Sequence, residues 1–151
     1  MSTQSDRLAV REASLADTSA IADLITQLGY PATASEISDR LAYWLPDPMS
    51  VILVAESGGR VIGSLSLHAI PYLERTGRWA RIESLVVDEP ARGTGAGRAL
   101  VAAAEQAAVR WDCLAVEVTS SRSRAAAHAF YRQMGYSDRC DQSGRFLKPL
   151  S

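Results

Sequence analysis

The chain has 151 residues, with 16 Lys plus Arg against 17 Asp plus Glu for a formal charge of −1, and 47% of its residues are hydrophobic. That length suits one domain with a self-standing core, and residues 8–151 are read as that domain behind a flexible N-terminus, 1–7. The charge balance lacks the basic excess of a dedicated nucleic-acid binder and of a polybasic membrane anchor. Two cysteines, Cys113 and Cys140, make no metal-ligand spacing, and no apolar run reaches bilayer length. The expectation is a cytoplasmic protein without metal, nucleic-acid or membrane partners. The dominance of Arg, with Lys148 the single lysine, fits a GC-rich bacterial genome.

Val10 and Arg11 start a short strand. Ser14 and Asp17 then make a capping box for a helix over Leu15 to Leu28, whose Ile21, Leu24, Ile25 and Leu28 recur at helical spacing. Gly29 and Pro31 stop it, and a second helix is predicted over Ala34 to Trp44. Val51–Ala55 and Arg60–Leu67 are strand-like and joined by Glu56-Ser57-Gly58-Gly59, a hairpin turn. Ala80–Val87 is the next strand. The glycine cluster Arg92–Gly97 opens a long helix to Trp111, and Leu114–Val118 comes next as a strand. Strand, helix and strand make a crossover unit, so these two strands should run parallel. A last helix over Arg124–Met134 ends at Gly135, after which Tyr136–Arg139 and Phe146–Leu150 are expected to pair as a terminal hairpin. The fold class is therefore α/β, a single-domain mixed sheet with antiparallel hairpins and a central βαβ unit.

The most specific local signal is Arg92-Gly93-Thr94-Gly95-Ala96-Gly97-Arg98, set between a strand and a helix. Glycines let a backbone approach a ligand closely, and a helix N-terminus favours phosphate. The plain alternative is a tight strand-to-helix turn. A Walker loop would need Gly-Lys-Ser/Thr, and a dinucleotide fingerprint would need GxGxxG; neither pattern is complete here. Arg92, Gly95 and Gly97 do fit Arg/Gln-x-x-Gly-x-Gly/Ala. With the preceding Ile82-Glu83-Ser84-Leu85-Val86-Val87-Asp88-Glu89-Pro90 and the later Ala127-His128-Ala129-Phe130-Tyr131-Arg132-Gln133-Met134-Gly135-Tyr136, the chain resembles the GNAT superfamily of acetyl-CoA-dependent N-acetyltransferases over nearly its whole length.

The resemblance implies that residues 92–98 cradle the pyrophosphate of acetyl-CoA, the cosubstrate. It implies that Leu85, Val86 and Val87 lie along the cosubstrate, with the main-chain amide of Val86 or Leu85 meeting the developing oxyanion, and Tyr131 as the acid that protonates the leaving thiolate. Spacing alone reads Tyr131 as packing, because Ala127, Phe130, Tyr131 and Met134 form an apolar stripe. Where many members have Asn six residues before the Phe, this chain has Arg124, and Ser123 or Arg124 stands in for it. Glu83 and Glu117 interrupt apolar strands, a costly placement for a carboxylate unless it is paired or used. Either, or a water chain, takes the proton of the attacking amine. The implied acceptor is a small-molecule or peptide amine. Arg75, Arg78 and Arg81 are candidates for an anionic group on it. A homodimer is open, as is the alternative of a non-catalytic acyl-CoA-binding or regulatory module with this fold.

Overall fold

A computed structural model describes residues 7–120 and 123–150. Residues through Thr119 form one compact unit and those from Ser120 a second. Most of the N-terminal segment expected to be flexible lies outside the described residues.

The first unit starts with β1 (Ala9–Glu12). The capping box forms: Ser14 Oγ accepts from the Ala16 amide at 3.3 Å, and the Asp17 carboxylate accepts from the Ser14 amide at 2.8 Å. It starts a 3₁₀ turn over Leu15–Asp17 that precedes α1 (Thr18–Leu28), where a single helix was expected. Arg11 holds Asp17 at this turn, its Nη1 and Nη2 donating to the carboxylate at 2.8 and 2.9 Å. Gly29, at φ +114°, closes α1. Helix α2 (Ala34–Trp44) has its own box, with Glu36 N–H donating to Thr33 Oγ1 and Thr33 N–H to Glu36 Oε1.

Strands β2 (Ser50–Ser57) and β3 (Arg60–Pro71) make the expected hairpin and run longer than predicted. Next come β4 (Arg78–Val87), α3 (Ala96–Arg110) and β5 (Cys113–Val118). The sheet order is β1-β2-β3-β4-β5, antiparallel except for the parallel β4/β5 pair that the crossover predicted. Ile52 and Val54 on one face join Ile21, Ala22, Ile37 and Leu41 of α1 and α2 in an apolar cluster. The opposite face carries Leu65, Leu67 and Ile82, buried with Leu100, Val101 and Ala104 of α3. Gly63 sits there under Leu100, where an added Cβ would stand 3.1 Å from its Cδ1.

Strand β4 has two irregularities. Ser66 pairs with Ser84 but Leu67 with Ile82, so Glu83 is an extra residue, a β-bulge. Pairing with β5 ends at Ile82↔Val118, and among the described residues no strand pairs with residues 83–87 on that side.

In the second unit, α4 (Ala125–Gln133) ends at Gly135, whose φ is +94°. The expected terminal hairpin of Tyr136–Arg139 with Phe146–Leu150 does not form: the described residues 136–150 contain no strand. The chain between the two segments coils on itself, with the amides of Gln142 and Ser143 donating to the Arg139 carbonyl and that of Cys140 to Asp138 Oδ1. Phe146, Leu147 and Leu150 stay exposed, so no apolar burial offsets the entropy of extending them.

Candidate active site

The glycine loop is anchored at its start. Asp88, directly after β4, is buried and accepts from Gln27 Nε2 of α1 and from Arg60 Nη2, both at 2.7 Å. Gln27 Oε1 in turn accepts from the Glu89 amide at 3.1 Å. After a 3₁₀ turn over Glu89–Ala91, Arg92 Nε donates to the Val87 carbonyl at 3.3 Å and Thr94 Oγ1 to that of Ala91. Gly93 and Gly95 adopt φ of +82° and +92°, a conformation L side chains resist. Gly95 is the N-cap of α3 and supplies no side-chain cap, and the first turn holds Arg98 but no acid. The leading amides of a helix have no intrahelical acceptors, and its positive end favours anions. Residues 92–98 thus form a turn whose shape and field suit a phosphate group.

Leu85, Val86 and Val87 lie on the stretch of β4 that has no strand on its β5 side. Backbone groups that turn to that side have no strand partner and can hydrogen-bond a ligand, although the Val87 carbonyl already accepts from Arg92 Nε.

Glu83 and Glu117 are brought together around Arg81. Glu83 Oε2 lies 3.7 Å from Arg81 Nε, and Glu117 Oε1 lies 4.0 Å from Arg81 Nη1. Arg81 and Glu117 are register partners across β4 and β5. Strict alternation along the strand would set Glu83 on one face with Leu85 and Val87. The bulge overturns that expectation: Leu85 pairs with Leu65 on the α3 side, while Ser84 pairs with Ser66 and hydrogen-bonds it, Oγ to Oγ, at 2.6 Å on the α1/α2 side. Glu83 shares that second side with Arg81 and His68. Neither carboxylate is buried, since the side chains keep 50 and 51% of their accessible surface; convergence on a cation, not desolvation, sets them apart.

His68 is not among the residues that the sequence singled out, yet its Nε2 stands 3.9 Å from Glu83 Oε2 and its ring stacks on Trp44 with centroids 5.6 Å apart. Only tertiary pairing could have shown this, because His68 and Arg81 meet as register partners thirteen residues apart. Further along this face, Trp79 leans on Tyr72 at 4.8 Å and Arg75 lies over the Tyr72 ring at 4.9 Å. Arg78 is committed elsewhere, its Nη1 donating to the Trp111 carbonyl.

The remaining predicted residues belong to the second unit. Tyr131 on α4 packs edge-on against Phe130 at 5.4 Å and near Tyr136 at 5.9 Å. Burial pushes its phenol upward, with Arg124 pulling the other way, so the hydroxyl keeps its proton at neutral pH. Arg124 occupies the N-cap position of α4 without a side-chain cap bond, and Ser123 precedes it on the surface. Among the described residues no three His, Cys, Asp or Glu are grouped to hold a metal, and no helix is long and apolar enough to cross a membrane. A cavity of about 420 Å³ between the α2–β2 turn and the C-terminal end of α3, walled by Asp47, Ser50, Arg110 and Trp111, contains none of these residues.

Comparison with known proteins bears on this arrangement. A family model described as the acetyltransferase (GNAT) family matches residues 19–136. The chain is 33% identical over 146 residues to the aminoalkylphosphonate N-acetyltransferase of Salmonella typhimurium, covering 93% of this chain and 90% of that protein. Among solved structures, a transcriptional regulator from Bacillus halodurans C-125 is similar with TM-score 0.84 at 23% identity, covering 96% of this chain and 100% of that one. The glucosamine-6-phosphate N-acetyltransferase of Arabidopsis thaliana is similar with TM-score 0.80 at 22% identity, covering 96 and 99%. At these identities the two structures speak for the fold.

Proposed function

The chain belongs to the GNAT acetyltransferase family and is an N-acetyltransferase, and we propose that it acetylates a small aminoalkyl acceptor by direct attack of the amine on acetyl-CoA, the cosubstrate of this family. The observation that carries the cosubstrate assignment is the left-handed Gly93/Gly95 turn at an uncapped helix start, beside a strand end with one open edge. Amides of residues 93–98 hold the pyrophosphate, and Arg92 and Arg98 add positive charge. Ser123 or Arg124 binds the pantetheine arm.

In this reading Leu85, Val86 and Val87 lie along the cosubstrate, and the backbone amide of Val86 or Leu85 donates to the carbonyl oxygen as charge develops there. Glu83 or Glu117 takes the ammonium proton, directly or through water, and Tyr131 returns a proton to the departing sulfur. Two carboxylates against one guanidinium leave a net negative cluster, which favours a cationic amine. The name of the Salmonella relative supports an acceptor with a primary amine on a short chain bearing a phosphonate. Residues 8–151 act as one catalytic domain, supported by the family match over 19–136. The reading also takes the enzyme to be bacterial, cytoplasmic and homodimeric, the last checked by sedimentation.

The test is thermal shift with acetyl-CoA, CoA, NAD and ATP, followed by thiol release over a panel of amines that includes aminoethylphosphonate. Selective stabilisation by the CoA species with amine-dependent thiol release is expected. Stabilisation without thiol release for any amine would leave a binding module and overturn the catalytic reading.

A further inference from the structure

Arg81 faces both candidate carboxylates and hydrogen-bonds neither. Its separations of 3.7 and 4.0 Å exceed the reach of an N–H···O bond, and its Nε is buried with no hydrogen-bond partner. The same chain shows how a guanidinium serves as a strut: Arg11 closes its fork on Asp17 at 2.8 and 2.9 Å. Arg81 is not held that way. Two residues earlier on the same strand face, Trp79 Nε1 is also buried without a partner, about 7 Å along the strand. Tyr72 and Arg75 continue the row. Buried donors without acceptors are rare in native proteins and call for an explanation. Two of them on one face, beside a pair of carboxylates suited to an ammonium, lack an acceptor group carrying oxygens.

We infer that Arg81, assisted by Trp79 Nε1, is the specificity-determining residue that receives the anionic group of a zwitterionic acceptor. This rests on the N-acetyltransferase reading and extends it. The loose ion pairs of Arg81 are exchanged for a forked pair with phosphonate or carboxylate oxygens, the geometry guanidinium serves best. The exchange also acts on the other end of the acceptor. Once the ligand's anion occupies Arg81, Glu83 and Glu117 lose their cation and turn to the ammonium. An amine without an anion leaves Arg81 on the carboxylates and gains nothing from this step.

The experiment compares aminoethylphosphonate, β-alanine and ethanolamine on the parent, Arg81→Gln, Arg81→Lys and Trp79→Phe. Calorimetry in the presence of CoA reads acceptor binding, thiol release reads kcat and KM, and melting temperatures check folding. The parent should prefer the anionic acceptors, with the two anions telling phosphonate from carboxylate recognition. Arg81→Gln should raise Kd and KM for the preferred anion about 10- to 100-fold, the scale of charge-assisted hydrogen bonds, and those for ethanolamine far less. Arg81→Lys should recover part of the preference, and Trp79→Phe, which keeps an aromatic ring and removes the indole N–H, should lose part of it. An equal loss for all three acceptors in Arg81→Gln would make Arg81 a strut and overturn the inference, as would a parent without preference. If Arg81→Gln does not fold, Trp79→Phe decides, and an unchanged preference there is negative. Should no amine elicit thiol release from the parent, the acetylation reading fails by itself; calorimetry then still supports the subsite if phosphonate binds and Arg81→Gln weakens it, and overturns it if phosphonate does not bind.

Discussion

Gly95→Ala and Gly29→Ala make a matched pair that isolates what the glycine loop does. Both positions have left-handed backbone, φ +92° and +114°, and a Cβ built at either meets nothing within 4 Å. The folding penalty is therefore conformational and similar at both, about 1 to 2 kcal/mol, which lowers the melting temperature by about 2 to 8 °C for a chain this size. Their surroundings differ. Gly29 closes α1, donating to the carbonyls of Ile25 and Thr26, whereas Gly95 opens α3 at the proposed pyrophosphate site. Acetyl-CoA at a hundredfold excess over its Kd stabilises the folded state by about 2.7 kcal/mol, or about 5 to 11 °C. Gly29→Ala should keep that increment in full. In Gly95→Ala the methyl group enters the open space that the pyrophosphate would fill, and even a tenfold loss of affinity removes about 1.4 kcal/mol, half of the increment. Scanning fluorimetry with and without acetyl-CoA reads both quantities in one titration. Equal increments in the two variants would show that the loop is an ordinary strand-to-helix turn.

Tyr131→Phe should lower single-turnover thiol release by about 10² to 10⁴ while acetyl-CoA affinity stays near the parent's; an unchanged rate returns Tyr131 to packing with Phe130 and Tyr136. Because burial raises its phenol in the folded state, stability is lost as pH climbs past about 10, where the unfolded chain ionises first, and Tyr131→Phe should blunt that alkaline fall in melting temperature. Rate–pH profiles of Glu83→Gln and Glu117→Gln should separate their roles: the variant lacking the base loses the limb that rises with pH, and two profiles superimposable on the parent's would leave a water chain to carry the proton. Asp17 is held below the usual carboxylate range first by Arg11, against desolvation, with help from the Ser14 amide. Its contribution is thus present above the ordinary carboxylate value near 3.9 and lost as pH falls through the lowered folded-state value. Asp17→Asn, which removes the charge that Arg11 grips, should cost about 1.5 to 3 kcal/mol at neutral pH and nothing in strong acid, read as melting temperature against pH.

Local signals were legible where the chemistry is local. The second helix falls on Ala34–Trp44 as predicted, the Ser14/Asp17 box forms, and the glycines at 93 and 95 take the backbone that the loop pattern requires. The Thr33/Glu36 box was equally readable from its spacing. The terminal hairpin was not, because a strand exists only against a partner: Phe146 and Leu147 satisfy a pattern, yet the turn at Arg139–Ser143 and the lack of burial decide the outcome. His68 stayed hidden for the related reason that β3 and β4 bring it to Arg81.

The bulge at Glu83 leaves no trace in the pattern of residues. Period-two counting runs straight through it and places Leu85 and Val87 beside Glu83, since alternation carries no mark of an inserted residue. With the extra residue, β4 sets Arg81, Glu83 and Ser84 on the side of His68 and Ser66, then returns Leu85 and Val87 to the face that packs on α3. Val87, partly buried, lies on that face, its Cγ2 3.6 Å from where a Cβ on Gly63 would stand. An unbulged strand would have to choose between presenting Leu85 and Val87 to the side of His68 and Ser66 and pulling Arg81 and Glu83 to the side that packs on α3. One unpaired residue lets β4 serve the core at its far end and the acceptor cluster in its middle. It falls where the partnership with β5 stops, so the side chains proposed to recognise the acceptor and the free backbone proposed to meet the thioester are set by the same few residues of one strand.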